Sequence, residues 1–128
     1  MRGVAFWFLL SAVIYVTLGM LWGIEMAVRQ NFEMAPAHAH LNLLGWVTLA
    51  LFGLYYHVVP AAAATGLARL HFALATLGVW TMPAGIAITI RTHGELLVAI
   101  GALLTLASML IFLATVVRFR SVRTGGDI

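Results

Sequence analysis

Five histidines and the absence of cysteine define the chemistry open to this chain of 128 residues. Without cysteine, the chain cannot form disulfides, thiolate zinc sites, iron–sulfur clusters, blue-copper centres or covalently attached c-type haem. A bound metal ion or cofactor must therefore be held by histidine, methionine, glutamate or aspartate. His38 and His40 stand two residues apart at the start of a long apolar stretch, and His93 precedes another.

The spacing of His38 and His40 has a geometric consequence. Successive side chains on a regular α-helix are rotated by about 100°, so residues two apart point in nearly opposite directions. Such a pair does not easily chelate one ion, and if both histidines are ligands they serve two different sites. His38 shares its helix face with a mixed set of residues, namely Asn42, Gly45, Phe52 and Tyr56. The residues that follow His40 on its own face are all apolar: Leu43, Leu44, Val47, Leu51 and Leu54.

The elements that position these residues are predicted to cross a membrane. The chain is 63% hydrophobic and 9% charged, with a mean hydropathy of +1.05. A soluble domain carries roughly 25% charged residues, so a water-soluble globule is excluded. Four apolar stretches, near 4–26, 37–59, 70–90 and 96–117, each reach the roughly 20 residues that cross a bilayer. The sequence therefore predicts an all-α integral membrane protein in which residues 1–128 form a single domain, a bundle of four transmembrane helices.

The arginines predict the orientation of these helices. The formal net charge is +3, and the basic residues stand at the ends of apolar stretches rather than along a surface that would bind nucleic acid. Arg29 and Arg91 fall on one side of the membrane, and a larger group falls on the other: Arg2, Arg69, Arg118, Arg120 and Arg123. Because basic residues concentrate on the cytoplasmic side, both termini are predicted to be cytoplasmic, in a bacterial inner (plasma) membrane. His38, His40 and His93 then lie at the outer face.

Each histidine also has a purely structural interpretation. A histidine near the end of a transmembrane helix often lies at the level of the lipid headgroups, bonded to water or to a carbonyl group. We expect this role for His57 and His71 at the inner face. The three outer histidines reach one surface together with Arg91, which favours a binding site at that surface.

Several short motifs follow one another along the chain from Pro36 onward. They are His38-Ala39-His40 with Gly45 and Tyr55-Tyr56, then His71-Phe72, Gly78-Val79 and Pro83, and finally Arg91. In this order they resemble the last four-helix third of the catalytic subunit of haem-copper oxidases and nitric oxide reductases, over about two thirds of the chain. In that family, the first histidine of a His-x-His pair ligates a high-spin haem and the second ligates a low-spin haem. Arginines in a following outer loop, at a place similar to that of Arg91, hold the haem propionates.

The resemblance implies a membrane protein that binds b-type haem for electron transfer or gas binding, with a redox partner. The cofactor-binding residues it implies are His38, His40, Arg91, Asn42 and Gly45, and the metal-ligating residues are His38, His40 and His93. Three four-helix arcs form a ring in the family, so a single arc implies a symmetric homotrimer, with a dimer as the second choice. His40 of one copy would then meet His38 of the next. No histidines resemble the family's copper site, so an oxygen-reducing enzyme is not expected.

Two other functions stay open at this point. The outer histidines, together with Glu95, would suit a copper or zinc carrier or an assembly factor. The chain would otherwise be a structural or transport protein without a cofactor, whose histidines titrate near neutral pH.

Overall fold

The computed structural model describes residues 1–121, and within that range it contains helices joined by short turns and no strand. Arg123, which the charge argument assigns to the cytoplasmic side, lies outside the described residues. Among the described residues, four helices are long and apolar enough to cross a membrane. They are α1 (Gly3–Arg29), α2 (Ala35–Val58), α3 (Gly66–Thr92) and α4 (Leu96–Arg118). For the described residues, the prediction of an all-helical chain with four helices capable of spanning a membrane is confirmed.

The ends of the helices differ from the predicted ends where local hydrogen bonds extend them. Helix α3 begins at Gly66 because the Thr65 side chain accepts a hydrogen bond from the backbone N–H of Ala68, at 3.2 Å, and so caps the first turn. Its far end runs to Thr92, where His93 adopts the left-handed conformation with φ 59°. Pro36 lies in the first turn of α2, as predicted. Helix α2 ends at Val58, and Pro60 begins a separate one-turn helix, Pro60–Ala63.

The middle of α2 departs from the regular helix that the sequence predicts. Residues Leu41–Thr48 form a π-helix, in which the turns are wider than in an α-helix. The Thr48 hydroxyl group donates a hydrogen bond to the carbonyl oxygen of Leu43, five residues earlier, at 2.9 Å. This segment begins immediately after His40. The π-helix therefore lies directly beside the His38–His40 pair.

Small residues allow α1 and α2 to approach each other closely. Gly23 packs against His38, and a Cβ atom at Gly19 would overlap the Oδ1 atom of Asn42. Farther along, a Cβ atom at Gly45 would lie 2.8 Å from the Cβ atom of Tyr15. A side chain at Gly45 would therefore push the helices apart, and one at Gly19 would displace the Asn42 amide. The α1–α2 contact is set by small residues, as is common between membrane helices.

Helices α3 and α4 form a second close pair that also depends on glycine. A Cβ atom at Gly78 would lie 2.9 Å from the Oγ1 atom of Thr105, and one at Gly101 would lie 2.7 Å from the backbone of Met82. The two pairs are joined where α2 packs on α3, and a hydrogen bond of 2.6 Å from Trp80 Nε1 to the Tyr15 hydroxyl group links α3 to α1. Polar and small side chains thus specify the helix contacts.

The outward faces of the bundle carry large apolar side chains. Leu43, Leu51 and Leu103 are between 57% and 68% exposed, and many similar residues surround them. Soluble proteins rarely expose continuous apolar surface on this scale. A lipid bilayer is therefore the environment that fits the described part of the chain.

Candidate functional site

His38 lies in the contact between α1 and α2. Its Nε2 atom is 2.9 Å from the carbonyl oxygen of Gly19 and 3.0 Å from the Nδ2 atom of Asn42. Because a carbonyl oxygen can only accept, the Nε2–H group of His38 donates this hydrogen bond. The Trp22 ring packs edge-on against the imidazole, with 5.9 Å between the ring centroids. In this arrangement Nε2 of His38 is engaged with α1 and offers no lone pair to a metal ion.

His40 has the opposite arrangement of its two ring nitrogens. Its Nδ1–H group donates a hydrogen bond of 2.8 Å to the carbonyl oxygen of Pro36, four residues earlier on the same helix. The lone pair of the ring is therefore on Nε2. Histidines that ligate metals almost always donate their other ring N–H group to a carboxylate, a carbonyl group or water, which fixes both the tautomer and the orientation of the ring. In this tautomer, Nε2 is the ring nitrogen of His40 that can coordinate a metal ion.

The face of α2 that follows His40 is open and apolar. The exposed side chains on this face are Leu43, Val47, Leu51, Leu54 and Val58. Leu44, which the sequence assigns to the same face, is only partly exposed and packs against the buried core. The exposed side chains on this face of α2 extend from Leu43, three residues after His40, to Val58 at the other end of the helix.

The other predicted cofactor residues of α2 face α1 instead. Asn42 donates a hydrogen bond of 3.1 Å to the carbonyl oxygen of His38 and packs against Gly19. Gly45 is buried beneath Tyr15. His38, Asn42 and Gly45 thus share one helix face, as the sequence predicts, and that face is occupied by the neighbouring helix.

Arg91 lines a cleft of about 510 Å³ at the end of the bundle that also contains the start of α2. The cleft lies between α1, α3 and the loop that joins α1 to α2, and Arg29 and Glu33 also line it. None of the five histidines, all of which are within residues 1–121, contributes to its wall. The structure therefore does not bring Arg91 into a common cavity with His40.

His93 is exposed at the end of α3, and Glu95 is exposed before the start of α4. Within residues 1–121, no group of three or more His, Asp or Glu side chains is arranged to hold a metal ion. The three histidines predicted as metal ligands consequently do not converge within one copy of the chain.

His71 is placed differently from the sequence expectation. It is fully buried between helices, and its Nδ1 atom is 2.9 Å from the Tyr56 hydroxyl group instead of being bonded to water or to a carbonyl group. Its Nε2 atom has no hydrogen-bond partner within the described residues. Aromatic rings surround it, the nearest being Phe52 at 4.4 Å and Phe8 at 5.2 Å between centroids. His57, in contrast, is exposed as expected.

A sequence signal for the burial of His71 exists in retrospect. Ala75 and Gly78 follow it at intervals of four and three residues, and both are buried on the same face of α3. Small residues at this spacing indicate a helix face that contacts another helix.

Comparisons of the chain with protein-family models, with curated proteins and with solved structures find no match.

Proposed function

We propose that the chain is an integral membrane protein that binds b-type haem through His40 and serves electron transfer or gas binding. One observation carries the proposal: the hydrogen bond from Nδ1 of His40 to the carbonyl oxygen of Pro36, which leaves the lone pair on Nε2 of a partly exposed side chain. This is the arrangement found in histidines that ligate metals. When bound, the haem would supply the redox change or the gas-binding position.

The surroundings of His40 suit a large apolar ligand with one polar edge. A porphyrin ring needs a broad apolar surface, and the exposed side chains of Leu43, Val47 and Leu51 provide one on the same helix. His40 itself is at the end of α2, where the carboxylates of a haem would reach water. Arg91 is not included in this proposal, because the cleft that it lines contains no histidine.

The proposed site lies on the outer surface of a single subunit and is completed by a second copy of the chain. Without a second copy, one face of a haem bound on α2 would contact lipid instead of protein. A symmetric homotrimer is the arrangement we propose, with both termini in the cytoplasm of a bacterial cell and His40 at the outer face. If His38 of the neighbouring copy is the second ligand, it must exchange its hydrogen bond to Gly19 for the iron.

Absorption spectroscopy of the protein purified in detergent tests the proposal. We expect a Soret band that shifts on reduction, and its loss or displacement in His40→Ala, because the variant lacks the axial imidazole. His57→Ala is the matched control, since it removes an exposed histidine at the other end of the same helix. A wild-type protein reconstituted with haem that shows no such band, or a His40→Ala variant with an unchanged band, would contradict the proposal. Bound copper or zinc without a chromophore would instead support the carrier function.

A further inference from the structure

The cleft that Arg91 lines, at the end of the bundle that contains the start of α2, has an apolar wall and a charged rim. Trp22 and Met26 of α1 and Ile88 of α3 form part of the wall. Arg29, Glu33 and Arg91 are at the rim. The volume of about 510 Å³ is within the range of about 300 to 1,000 Å³ that is typical of small-molecule sites. Both the volume and the lining are those of a site for an amphiphilic ligand.

The charges at the rim are not equivalent. The Nε atom of Arg29 is 2.6 Å from the Oε1 atom of Glu25, one turn earlier on α1, so each of these two charges already has a partner. Within residues 1–121, Arg91 and Glu33 form no ion pair. One cation and one anion therefore face the same space and are available to a ligand.

The position of the cleft restricts the ligand further. Arginine and tryptophan side chains at the end of a transmembrane bundle lie at the level where the bilayer meets water. A ligand at this depth can place a polar group at the rim and an apolar segment along the wall. The cleft is too small for two complete acyl chains but large enough for a headgroup and the adjoining part of a lipid.

We infer that the cleft binds the phosphoethanolamine group of an amphiphile, with the phosphate on Arg91 and the primary ammonium group on Glu33. A guanidinium group can hold two phosphate oxygens through parallel hydrogen bonds. The carboxylate of Glu33 accepts hydrogen bonds, which a primary ammonium group donates and a quaternary ammonium group cannot. A ligand with only negative charge would pair with Arg91 but would leave the carboxylate of Glu33 without a partner. The inference does not depend on haem binding.

Two sources could supply this group: a membrane lipid, phosphatidylethanolamine, or soluble phosphoethanolamine. Native mass spectrometry of the detergent-purified protein, incubated with phosphatidylethanolamine, phosphatidylglycerol and phosphatidylcholine of identical acyl chains, measures which lipid is retained. We expect retention of phosphatidylethanolamine to exceed that of the other two by about tenfold, the effect of one hydrogen bond to a charged group. Displacement by soluble phosphoethanolamine would show that the headgroup is sufficient. Retention that this compound does not reduce would show that the lipid is the ligand.

Two variants test the assigned contacts. Glu33→Gln should reduce the preference for phosphatidylethanolamine over the other two lipids by about tenfold. Arg91→Gln should lower the retention of all three lipids by about tenfold, because each carries the phosphate, whereas Arg91→Lys should keep part of the retention because the charge remains. Arg69→Gln and Glu95→Gln are the controls, since these exposed residues do not line the cleft. Circular dichroism identifies any variant that has not folded. Equal retention of the three lipids, a preference for phosphatidylglycerol, or no effect of either cleft substitution in folded protein would overturn the inference.

Discussion

The hydroxyl group of Tyr56 and the Nδ1 atom of His71 are 2.9 Å apart, and both side chains are almost inaccessible, with exposed fractions of 1% and 0%. This pair joins α2 to α3 in the centre of an aromatic cluster. Because the Nε2 atom of His71 has no partner within residues 1–121, the contact combines one buried hydrogen bond with one uncompensated polar atom. Leaving a buried polar atom unpaired costs about 1 to 3 kcal/mol.

Substitution of His71 by phenylalanine should therefore change the free energy of unfolding little. The variant removes the unpaired Nε2 atom but leaves the buried Tyr56 hydroxyl group without its partner, so two penalties of about 1 to 3 kcal/mol offset each other. His71→Ala, which leaves a cavity among the rings, should lower the free energy of unfolding by about 3 kcal/mol. Unfolding in mixed detergent micelles measures both effects. A loss of about 2 kcal/mol or more in His71→Phe would show that Nε2 has a partner, such as a buried water molecule.

The contact between Gly19 and Asn42 gives a second prediction. In Gly19→Ala the new Cβ atom would overlap Oδ1 of Asn42, so the Asn42 amide must rotate away and give up its hydrogen bond to the carbonyl oxygen of His38, at a cost of about 1 to 3 kcal/mol. Gly66→Ala is the matched control, because no heavy atom lies within 4 Å of the position of its Cβ atom. Equal stabilities of the two variants in the same unfolding measurement would contradict the assigned helix contact.

The sequence predicts the four spans well because their length and apolarity are nearly independent of tertiary contacts. It also predicts that His38 and His40 are on different faces of α2, since their spacing alone separates them. It does not predict the π-helix at Leu41–Thr48, which no local pattern signals. It also does not predict the ends of α3, because they depend on the hydrogen bond by which the Thr65 side chain caps the helix and on the left-handed conformation of His93.

The sequence does not separate faces that meet lipid from faces that meet protein, because both are apolar in a membrane. For this reason apolarity alone does not distinguish the exposed stripe after His40 from the buried aromatic rings around His71. The sequence correctly places His38, Asn42 and Gly45 on one face of α2, but it does not show that α1 covers this face. Contacts with Gly19 and Tyr15, which only the structure provides, decide this point.

The proposed orientation in the membrane is tested by reporter fusions. The asymmetry of the arginines predicts that Thr65 is on the cytoplasmic side and His93 on the outer side. A phosphatase reporter that is active only outside the cytoplasm should be active when fused at His93 and inactive when fused at Thr65. The opposite pattern would reverse the orientation, and it would place His40 at the cytoplasmic face.

The proposed homotrimer predicts a mass of three chains in native mass spectrometry. If haem is shared between copies, dissociation into monomers should release it. A monomer that retains haem would show that one chain supplies the complete site. A haem-containing dimer would support the second arrangement and retain the sharing of the site between copies.

A shared site also predicts complementation between two defective chains. His38→Ala retains His40, and His40→Ala retains His38, so neither variant alone can form a site that needs both residues from different copies. When the two variants are expressed together in equal amounts, random assembly in a closed ring makes about a quarter of the interfaces intact. We therefore expect the Soret absorbance of the mixture to recover to about a quarter of the wild-type value.

Asn42→Ala is the control for His38→Ala, because it also removes a contact to α1 without removing an imidazole. A wild-type spectrum of His38→Ala alone would show that His38 only joins α1 to α2. No recovery in the mixture would show that the two histidines do not meet across an interface.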